Sequence, residues 1–348
     1  MLKNSVFHMY SVPRNRIGEQ LSQFEREHIL TFAKEVDLEP KTLPTRFHQF
    51  SFIQMNSIFI ELIDGYYPNI GRSIGIGAFL LSILMFIALA MNLGLYFIFP
   101  DTAGNHLVFN YFLKFISFSV LILIIYMCYK NIKAFKYYEL SGYYYLPIRF
   151  NRKTKKIYFY LSNGEQVERS IGQIIFTISA NKGFMDGKYY CISAFELNSN
   201  GNITSHYSIG QSSYHLSDVM QLWEFINVYW IYGPEPLMPA NIKDNKALYD
   251  RKSHLVYCND VINIEPKASD SWERIRLLHD RNPFFEILSL PFDILHFLGR
   301  RICLKYRKMP EWTNQIEDQN KVDAHDLYKV SAKDNYKINY FSVTKEDD

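Results

Sequence analysis

An uncharged stretch from Ser73 to Pro100, bounded by Arg72 and Asp101, constrains this chain more than any other feature of its sequence. Its centre reads AFLLSILMFIALAMN. About 20 apolar residues in a helix are enough to cross the hydrocarbon core of a bilayer, which is about 30 Å thick. The alternative is a buried helix of a water-soluble domain, but such helices seldom remain uncharged for more than about 18 residues. The stretch therefore predicts a transmembrane helix.

A second apolar stretch follows almost at once, from His106 to Tyr129. Its one Lys or Arg, Lys114, lies near its start, where a long side chain can reach the bilayer surface. The short connection predicts a transmembrane helical hairpin over residues 73–130. Basic residues favour the cytoplasmic side, and here they flank the hairpin instead of its turn, as Arg72, Lys130, Lys133 and Lys136. We therefore expect a multi-pass inner-membrane protein with both termini, including the N-terminal region 1–72, in the cytoplasm.

Residues 137–235 show the pattern of an antiparallel β domain. Short runs rich in β-branched and aromatic residues alternate with turns, of which Asn163 followed by Gly164 is the strongest hairpin signal. These strands cover 146–152, 155–161, 165–170, 173–179, 188–197 and 203–210. A helix over 217–232 follows, with Ser217 as its N-cap and Gly233 after its end. This order resembles a pleckstrin-homology-like (PH-like) barrel. The expected fold class is an α+β membrane protein with a transmembrane hairpin and a cytosolic PH-like barrel capped by a helix.

The first predicted hairpin of this domain carries a strongly basic turn. Its cations are Arg149, Arg152, Lys153, Lys155 and Lys156. A run of charge is usually a solvated surface, and that is one interpretation. The other is a contact for anionic lipid or for a protein partner, because each Lys or Arg near an anionic lipid surface contributes about 1 kcal/mol. The sequence leaves both open.

The region 241–312 contains a charged linker and then an amphipathic segment, 282–308. A polar stripe at helical spacing runs through it, formed by Glu286, Ser289, Asp293, His296 and Arg300. Pro291 would kink this helix or begin a second one. A third span is disfavoured, because an acidic residue at a bilayer centre costs about 2.5–3.5 kcal/mol. We expect a helix that lies on the membrane surface or packs on the β domain, with Arg300, Arg301 and Lys305 as possible anionic-lipid or partner contacts. The polar tail, 313–348, is expected to be loose.

Composition and motifs give no indication of an enzyme. The formal net charge of +3 is too small to favour nucleic acid as a partner. The four cysteines form no CxxC pair, and no phosphate-binding loop, HExxH or GxSxG motif occurs. His206, His215, His279 and His296 are dispersed and are more readily explained as surface or packing residues than as ligands. We therefore predict no catalytic residue, no metal site and no cofactor.

Three segments carry a resemblance to a known group of proteins. They are LPIRFNRKTKKIYFY (146–160), LWEFINVYWIYGPE (222–235) and NPFFEILSLPFDILHFLGRRICLKYRKMPEW (282–312). With the apolar hairpin they resemble uncharacterised two-helix membrane proteins of bacteria, with a PH-like domain, that are often encoded beside type VI secretion effectors. The resemblance implies an immunity protein that neutralises a secreted toxin by binding it. The alternative is a membrane-anchored scaffold or anionic-lipid-binding accessory protein of a secretion system. The expected partners are membrane lipids and a toxin or secretion component.

Overall fold

The computed structural model describes most of the chain outside the predicted hairpin. Its continuous ranges are 16–32, 51–72, 142–182, 188–237 and 283–331, with single positions or pairs at 86, 90, 111–112, 115–116, 118–119, 122, 125–126, 129 and 140. The chain forms two compact units. Unit 1 comprises residues 1–69, 143–283 and 307–348, and unit 2 comprises residues 70–142 and 284–306.

The described residues form ten strands and four α-helices, with three short 3-10 turns at Tyr67–Asn69, Ile171–Gln173 and Glu235–Leu237. The strands are β1 (Ile29–Leu30), β2 (Phe52–Met55), β3 (Phe59–Leu62), β4 (Ile148–Asn151), β5 (Lys156–Tyr160), β6 (Gln166–Ser170), β7 (Ile175–Lys182), β8 (Lys188–Leu197), β9 (Ile203–Ser213) and β10 (Val330–Ser331). The helices are α1 (Gln23–Glu27), α2 (Leu216–Tyr232), α3 (Pro283–Tyr306) and α4 (Asn314–Gln319).

Unit 1 contains two antiparallel sheets. The six-stranded sheet has the order β10-β2-β3-β4-β5-β6, and the four-stranded sheet has the order β1-β7-β8-β9. They meet where Asp64, just after β3, pairs with Ile209 of β9, and where the backbone N–H of Gly210 donates to the carbonyl of Ile63 at 2.8 Å. The predicted strands from 146 to 210 are confirmed in type and order.

The core of unit 1 is largely aromatic and lies between α2 and the two sheets. The ring of Phe176 in β7 packs on Trp223 of α2 at 5.2 Å and on Phe150 of β4 at 6.2 Å. Phe150 in turn meets Trp230 of α2, with the ring centroids 6.4 Å apart. Helix α2 is covered in this way because Trp223, Phe225 and other apolar residues occupy most of its circumference, which forces it onto a sheet. It ends before Gly233, as predicted, but its N-cap is His215, so the assignment of Ser217 was wrong.

The predicted fold class needs two corrections. The described strands form two separate sheets with edges at β10, β6, β1 and β9, so they do not close into a barrel. Among the described residues, no helix has both the length and the apolar character needed to span a membrane. This finding contradicts the predicted transmembrane hairpin and the multi-pass inner-membrane localisation. Most of the predicted hairpin, residues 73–130, lies outside the described residues. The α+β class and the antiparallel pairing remain.

Within unit 2, the chain after β3 crosses α3 at very short range. Gly71 adopts a φ of +83°, and a Cβ atom there would overlap the backbone of Gly299 and Arg300. Beside this crossing, the Nε2 atom of His296 lies 3.2 Å from the carbonyl oxygen of Ile70. Gly71 therefore allows a backbone-to-backbone contact that no larger residue at position 71 would permit.

The segment 309–331 is ordered against unit 1, so the expectation of a loose tail from Asn314 onward was wrong for its first part. Helix α4 buries Ile316, and Asn320 just after it is also buried. The short strand β10 then pairs with β2, through Val330 opposite Met55.

Candidate functional site

The cations of the basic turn are largely engaged inside unit 1. Arg149 is buried, with only 2% of its surface exposed. Its Nε atom donates to Glu61 at 2.7 Å, and its Nη2 atom donates to Glu317 at 3.1 Å. Burial by itself lowers the pKa of the Arg149 guanidinium, but the two carboxylates raise the pKa above its ordinary value. Arg149 therefore holds parts of the chain together from inside the molecule.

Two further cations of the turn lie at the C-terminal end of α2. Arg152 donates to the carbonyl of Ile231 at 3.4 Å, and Lys155 donates to that of Trp230 at 3.3 Å. The Lys155 ammonium also lies over the Trp230 ring, 4.7 Å from its centroid. The C-terminal end of a helix carries unpaired carbonyls and partial negative charge, which cations stabilise. The turn therefore acts as a C-terminal cap for α2.

The last two cations of the turn are less enclosed. Lys156 pairs with Glu168 across β5 and β6. Lys153 is exposed, and its backbone N–H donates to the side chain of Asn151 at 2.9 Å. Lys153 and Lys155 are exposed, and 35% of the Lys156 side chain is exposed as well, so any contact of this turn with an anionic partner would fall on these three residues. That contact remains a prediction.

An ordinary surface helix buries its apolar face and exposes its polar face, whereas helix α3 buries its polar stripe and exposes an apolar ridge. Its polar stripe is buried at Asp293, His296 and Arg300, of which Arg300 is 0% exposed. Five of its apolar residues point outward along one line, with 43–62% of each surface exposed, whereas Cys303 and Leu304 are buried. The five exposed residues are Leu290, Ile294, Leu298, Ile302 and Tyr306. These five residues, here called the α3 apolar face, recur every four positions. At about 1.5 Å per residue they form a ridge about 24 Å long.

Basic residues border this ridge at its C-terminal end. Arg301 and Lys305 are exposed next to Ile302 and Tyr306, whereas Arg300 is buried. The three predicted contact cations of α3 are thus divided between two sides of the helix. Of the cations that flank the predicted hairpin, Arg72 is half-buried, and Lys130, Lys133 and Lys136 lie outside the described residues.

Unit 2 exposes further apolar side chains between positions 111 and 129. The described helical positions there include Tyr111, Phe112, Phe115, Phe118, Ile122, Ile125, Tyr126 and Tyr129, each more than half exposed. A monomeric soluble protein rarely exposes a contiguous apolar patch of more than a few hundred Å², and larger patches mark interaction sites. The exposed surface of unit 2 is therefore the strongest candidate for a binding surface in the described part of the chain.

Three of the four histidines singled out in the sequence lie among the described residues. The Nε2 atom of His206 lies 3.2 Å from the Ser193 hydroxyl, and its ring stacks on Phe195. His215 caps α2 and His296 meets Ile70, whereas His279 lies outside the described residues. The described residues contain no group of three or more His, Cys, Asp or Glu side chains that could hold a metal ion. Burial raises the pKa of Cys191 to about 11, so that thiol is protonated at neutral pH.

Sequence reasoning found the α3 stripe but not the direction in which it points. The relative widths of the polar and apolar faces of α3 could have indicated this direction. The polar residues form a narrow line, and the apolar residues cover most of the rest of the circumference, apart from Arg301 and Lys305 near the C-terminal end. A helix with that pattern can bury its polar line only if another polar or backbone group meets it, as the carbonyl of Ile70 meets His296.

Comparison with known proteins identifies one family. The profile of a family described as a family of unknown function, DUF6708, matches residues 119–324, more than half of the chain. The matched range includes the basic turn, α2, α3 and α4. No match to a curated protein or to a solved structure was found.

Proposed function

We propose that this chain, which belongs to the DUF6708 family, is a binding protein that captures a protein partner on the α3 apolar face. The observation that carries the proposal is the outward orientation of Leu290, Ile294, Leu298, Ile302 and Tyr306 while Asp293, His296 and Arg300 are buried. Covering such residues is favourable by about 25 cal/mol for each Å² of apolar area removed from water.

The ridge has the geometry of a helix-packing surface. Side chains at intervals of four residues form the ridges that interdigitate with the grooves of another helix. A partner helix or an apolar groove would therefore fit along the α3 apolar face, with Leu298 near its centre. Residues at the centre of an interface contribute most of the binding energy, because water is excluded there.

The identity of the partner is inferred from the resemblance of the three sequence segments. We propose that the partner is a secreted toxin of a type VI system and that capture neutralises it, which makes the chain an immunity protein. The resemblance supports the toxin as partner, and the α3 apolar face supports capture by direct contact. A scaffold that assembles secretion components would use the same surface without protecting the cell.

Co-expression tests the immunity role. A bacterium that expresses the effector encoded beside this gene should regain growth when the full-length chain is also expressed. The double variant Leu298→Gln and Ile302→Gln keeps good helix formers and should lose protection. Leu327→Gln in unit 1 is the matched control, because Leu327 is also exposed, at 65%, and should protect fully. Continued killing with the wild-type chain stably expressed would refute the immunity role.

A second candidate function, binding to an anionic lipid surface, is favoured by the exposed Arg301 and Lys305 at the end of the ridge. Apolar residues bordered by cations suit a helix that lies in such a surface. Flotation of the full chain with vesicles that contain phosphatidylserine separates the candidates. Lipid binding predicts co-flotation that weakens with salt and with Arg301→Glu plus Lys305→Glu. Flotation that is absent, or unaffected by these changes, leaves protein capture as the function.

A further inference from the structure

The segment 309–331 lies on the outer face of the six-stranded sheet in the manner of a bound peptide. Cross-strand pairing places Glu61, Arg149 and Tyr158 on this face, with Tyr160 two residues further along β5. Trp312 is the aromatic anchor. Its ring meets Tyr160 at 5.6 Å and the Arg149 guanidinium at 4.9 Å, and its Nε1–H donates to Glu61 at 2.9 Å.

Further contacts follow in order along the segment. Gln319 accepts a hydrogen bond from the Tyr158 hydroxyl at 2.8 Å, and Asn320 accepts one from Asn151 at 2.8 Å. Finally, β10 adds two residues to the free edge of β2. An aromatic anchor, side-chain hydrogen bonds and an added edge strand are the elements by which sheets recognise extended peptides. The segment therefore occupies a peptide-binding surface within its own chain.

The segment fits this surface imperfectly at Arg149. Glu317 reaches the guanidinium through one oxygen only, and half of the Glu317 side chain is exposed. The Nη1 atom of Arg149 is buried and has no hydrogen-bond acceptor among the described residues. A guanidinium can bind a carboxylate through two parallel hydrogen bonds, and such pairs are stronger than single contacts. A buried donor without an acceptor costs free energy.

The groups beneath the segment are largely polar, although lifting the segment would also expose the buried side chain of Ile316 and the rings of Trp312 and Tyr160. Lifting the segment would expose the Arg149 and Glu61 charges, the Asn151 amide and the Tyr158 hydroxyl, all of which water can solvate. The desolvation penalty of the buried ion pair would be recovered at the same time. The apolar core on the inner face, which contains Phe150 and Ile157, would stay covered. Segments of this kind open locally below the free energy of global unfolding.

We propose that the outer face of the six-stranded sheet binds a tryptophan-containing acidic peptide segment of a partner protein, which displaces residues 309–331. The partner segment places its indole where Trp312 lies. Its carboxylate binds both terminal nitrogens of Arg149, which Glu317 does not. This surface belongs to unit 1, so the inference does not depend on the role proposed for the α3 apolar face.

A peptide titration on the full-length chain tests the proposal. The probe is a fluorescent peptide with the sequence of residues 309–323, MPEWTNQIEDQNKVD. Trp312→Ala in the protein weakens the internal competitor, and we expect it to bind the probe at least ten times more tightly than the wild type. Leu327→Ala is the matched control in the same segment and should bind like the wild type. Probes that carry Ala in place of the tryptophan, or Gln in place of the second glutamate, should lose binding.

Two results would overturn the proposal. One is a Trp312→Ala protein that melts like the wild type yet binds the probe no more tightly. The other comes from hydrogen exchange on the wild-type protein, which does not depend on how the variant folds. The amides of Ile316, Glu317 and Asn320 should exchange at least tenfold faster than those of β4 and β5. If these three amides exchange as slowly as those of β4 and β5, they open only when the whole protein unfolds, and displacement of the segment is excluded.

Discussion

Replacement of Gly71 by alanine should strongly destabilise unit 2. Two costs add. A residue with a side chain in the left-handed region costs about 1–2 kcal/mol, and Gly71 has a φ of +83°. The new Cβ would also overlap backbone atoms of Gly299 and Arg300, which cannot rotate away. Overpacking of this kind costs about 1–3 kcal/mol and sometimes more. The expected loss is therefore about 2–5 kcal/mol.

Two other glycines provide a graded comparison. At Gly65 a Cβ would meet the hydroxyl of Ser208, a side-chain atom that can rotate, so Gly65→Ala should cost less than Gly71→Ala. At Gly172 a Cβ would meet nothing within 4 Å. Gly172→Ala should change stability by less than about 1 kcal/mol, in the stabilising direction, because alanine reduces the entropy of the unfolded chain.

Urea unfolding of the three variants measures this order, with hydrogen exchange at α3 amides as a local readout for unit 2. Gly71→Ala should speed exchange in α3 by at least tenfold, whereas the other two should leave α3 unchanged. A Gly71→Ala protein within about 0.5 kcal/mol of the wild type would refute the reasoning, because surface changes have effects of that size. Equal losses for Gly71→Ala and Gly65→Ala would refute it as well.

Three further predictions concern titratable groups of unit 1. Burial raises the pKa of Asp64 to about 6, although the backbone N–H groups of Leu146 and Tyr66 donate hydrogen bonds that lower it. The protonated Asp64 side chain therefore contributes its full stability below about pH 3.8, and this contribution is lost as the pH rises through about 6. Asp64→Asn should flatten that limb of a stability profile measured by urea unfolding. Burial alone would raise the pKa of Glu25, but hydrogen bonds from Arg16, Ser179 and Ser22 lower this pKa below its ordinary value. The ionised Glu25 side chain therefore stabilises the fold above the ordinary pKa, and this stabilisation is lost as the pH falls through the lowered pKa. Glu25→Gln should remove this acid limb, and an unchanged limb would contradict the assignment. Lys155 has a φ of +55°. Lys155→Met keeps this strain and loses the cap, so it should melt below the wild type, and an unchanged melting temperature would contradict the capping role. Lys155→Gly also loses the cap but relieves the strain, so it should melt above Lys155→Met.

The strands from 146 to 210 and helix α2 could be predicted because their signals are local. The Asn163 and Gly164 turn joins β5 to β6, and Gly164 takes a φ of +88°, which its type of turn needs. Gly233 ends α2 in the same way, with a φ of +88°. The polar stripe of α3 was likewise visible from its spacing. Each of these signals lies within a few residues of the structure that it specifies.

The errors arose where distant parts of the chain decide the outcome. Arg149 was grouped with the exposed cations of its turn, but Glu61 and Glu317, far away in sequence, bury and neutralise it. The segment after Trp312 looks polar and loose, yet its polar groups match those on the outer face of the sheet. Sequence spacing carries no information on which groups meet in this way.

The sequence by itself determined the six strands between 146 and 210 along the chain, the end of α2 and the periodicity of α3, because backbone turns and side-chain spacing act over a few residues. Only the tertiary structure decided that the strands form two sheets, that α3 buries its polar line and exposes its apolar ridge, and that the tail covers Arg149. The physical reason is that burial depends on the surface that each segment meets. His296 of α3 can be buried because its ring meets the carbonyl oxygen of Ile70, and Arg149 can be buried because it donates to the carboxylate of Glu61.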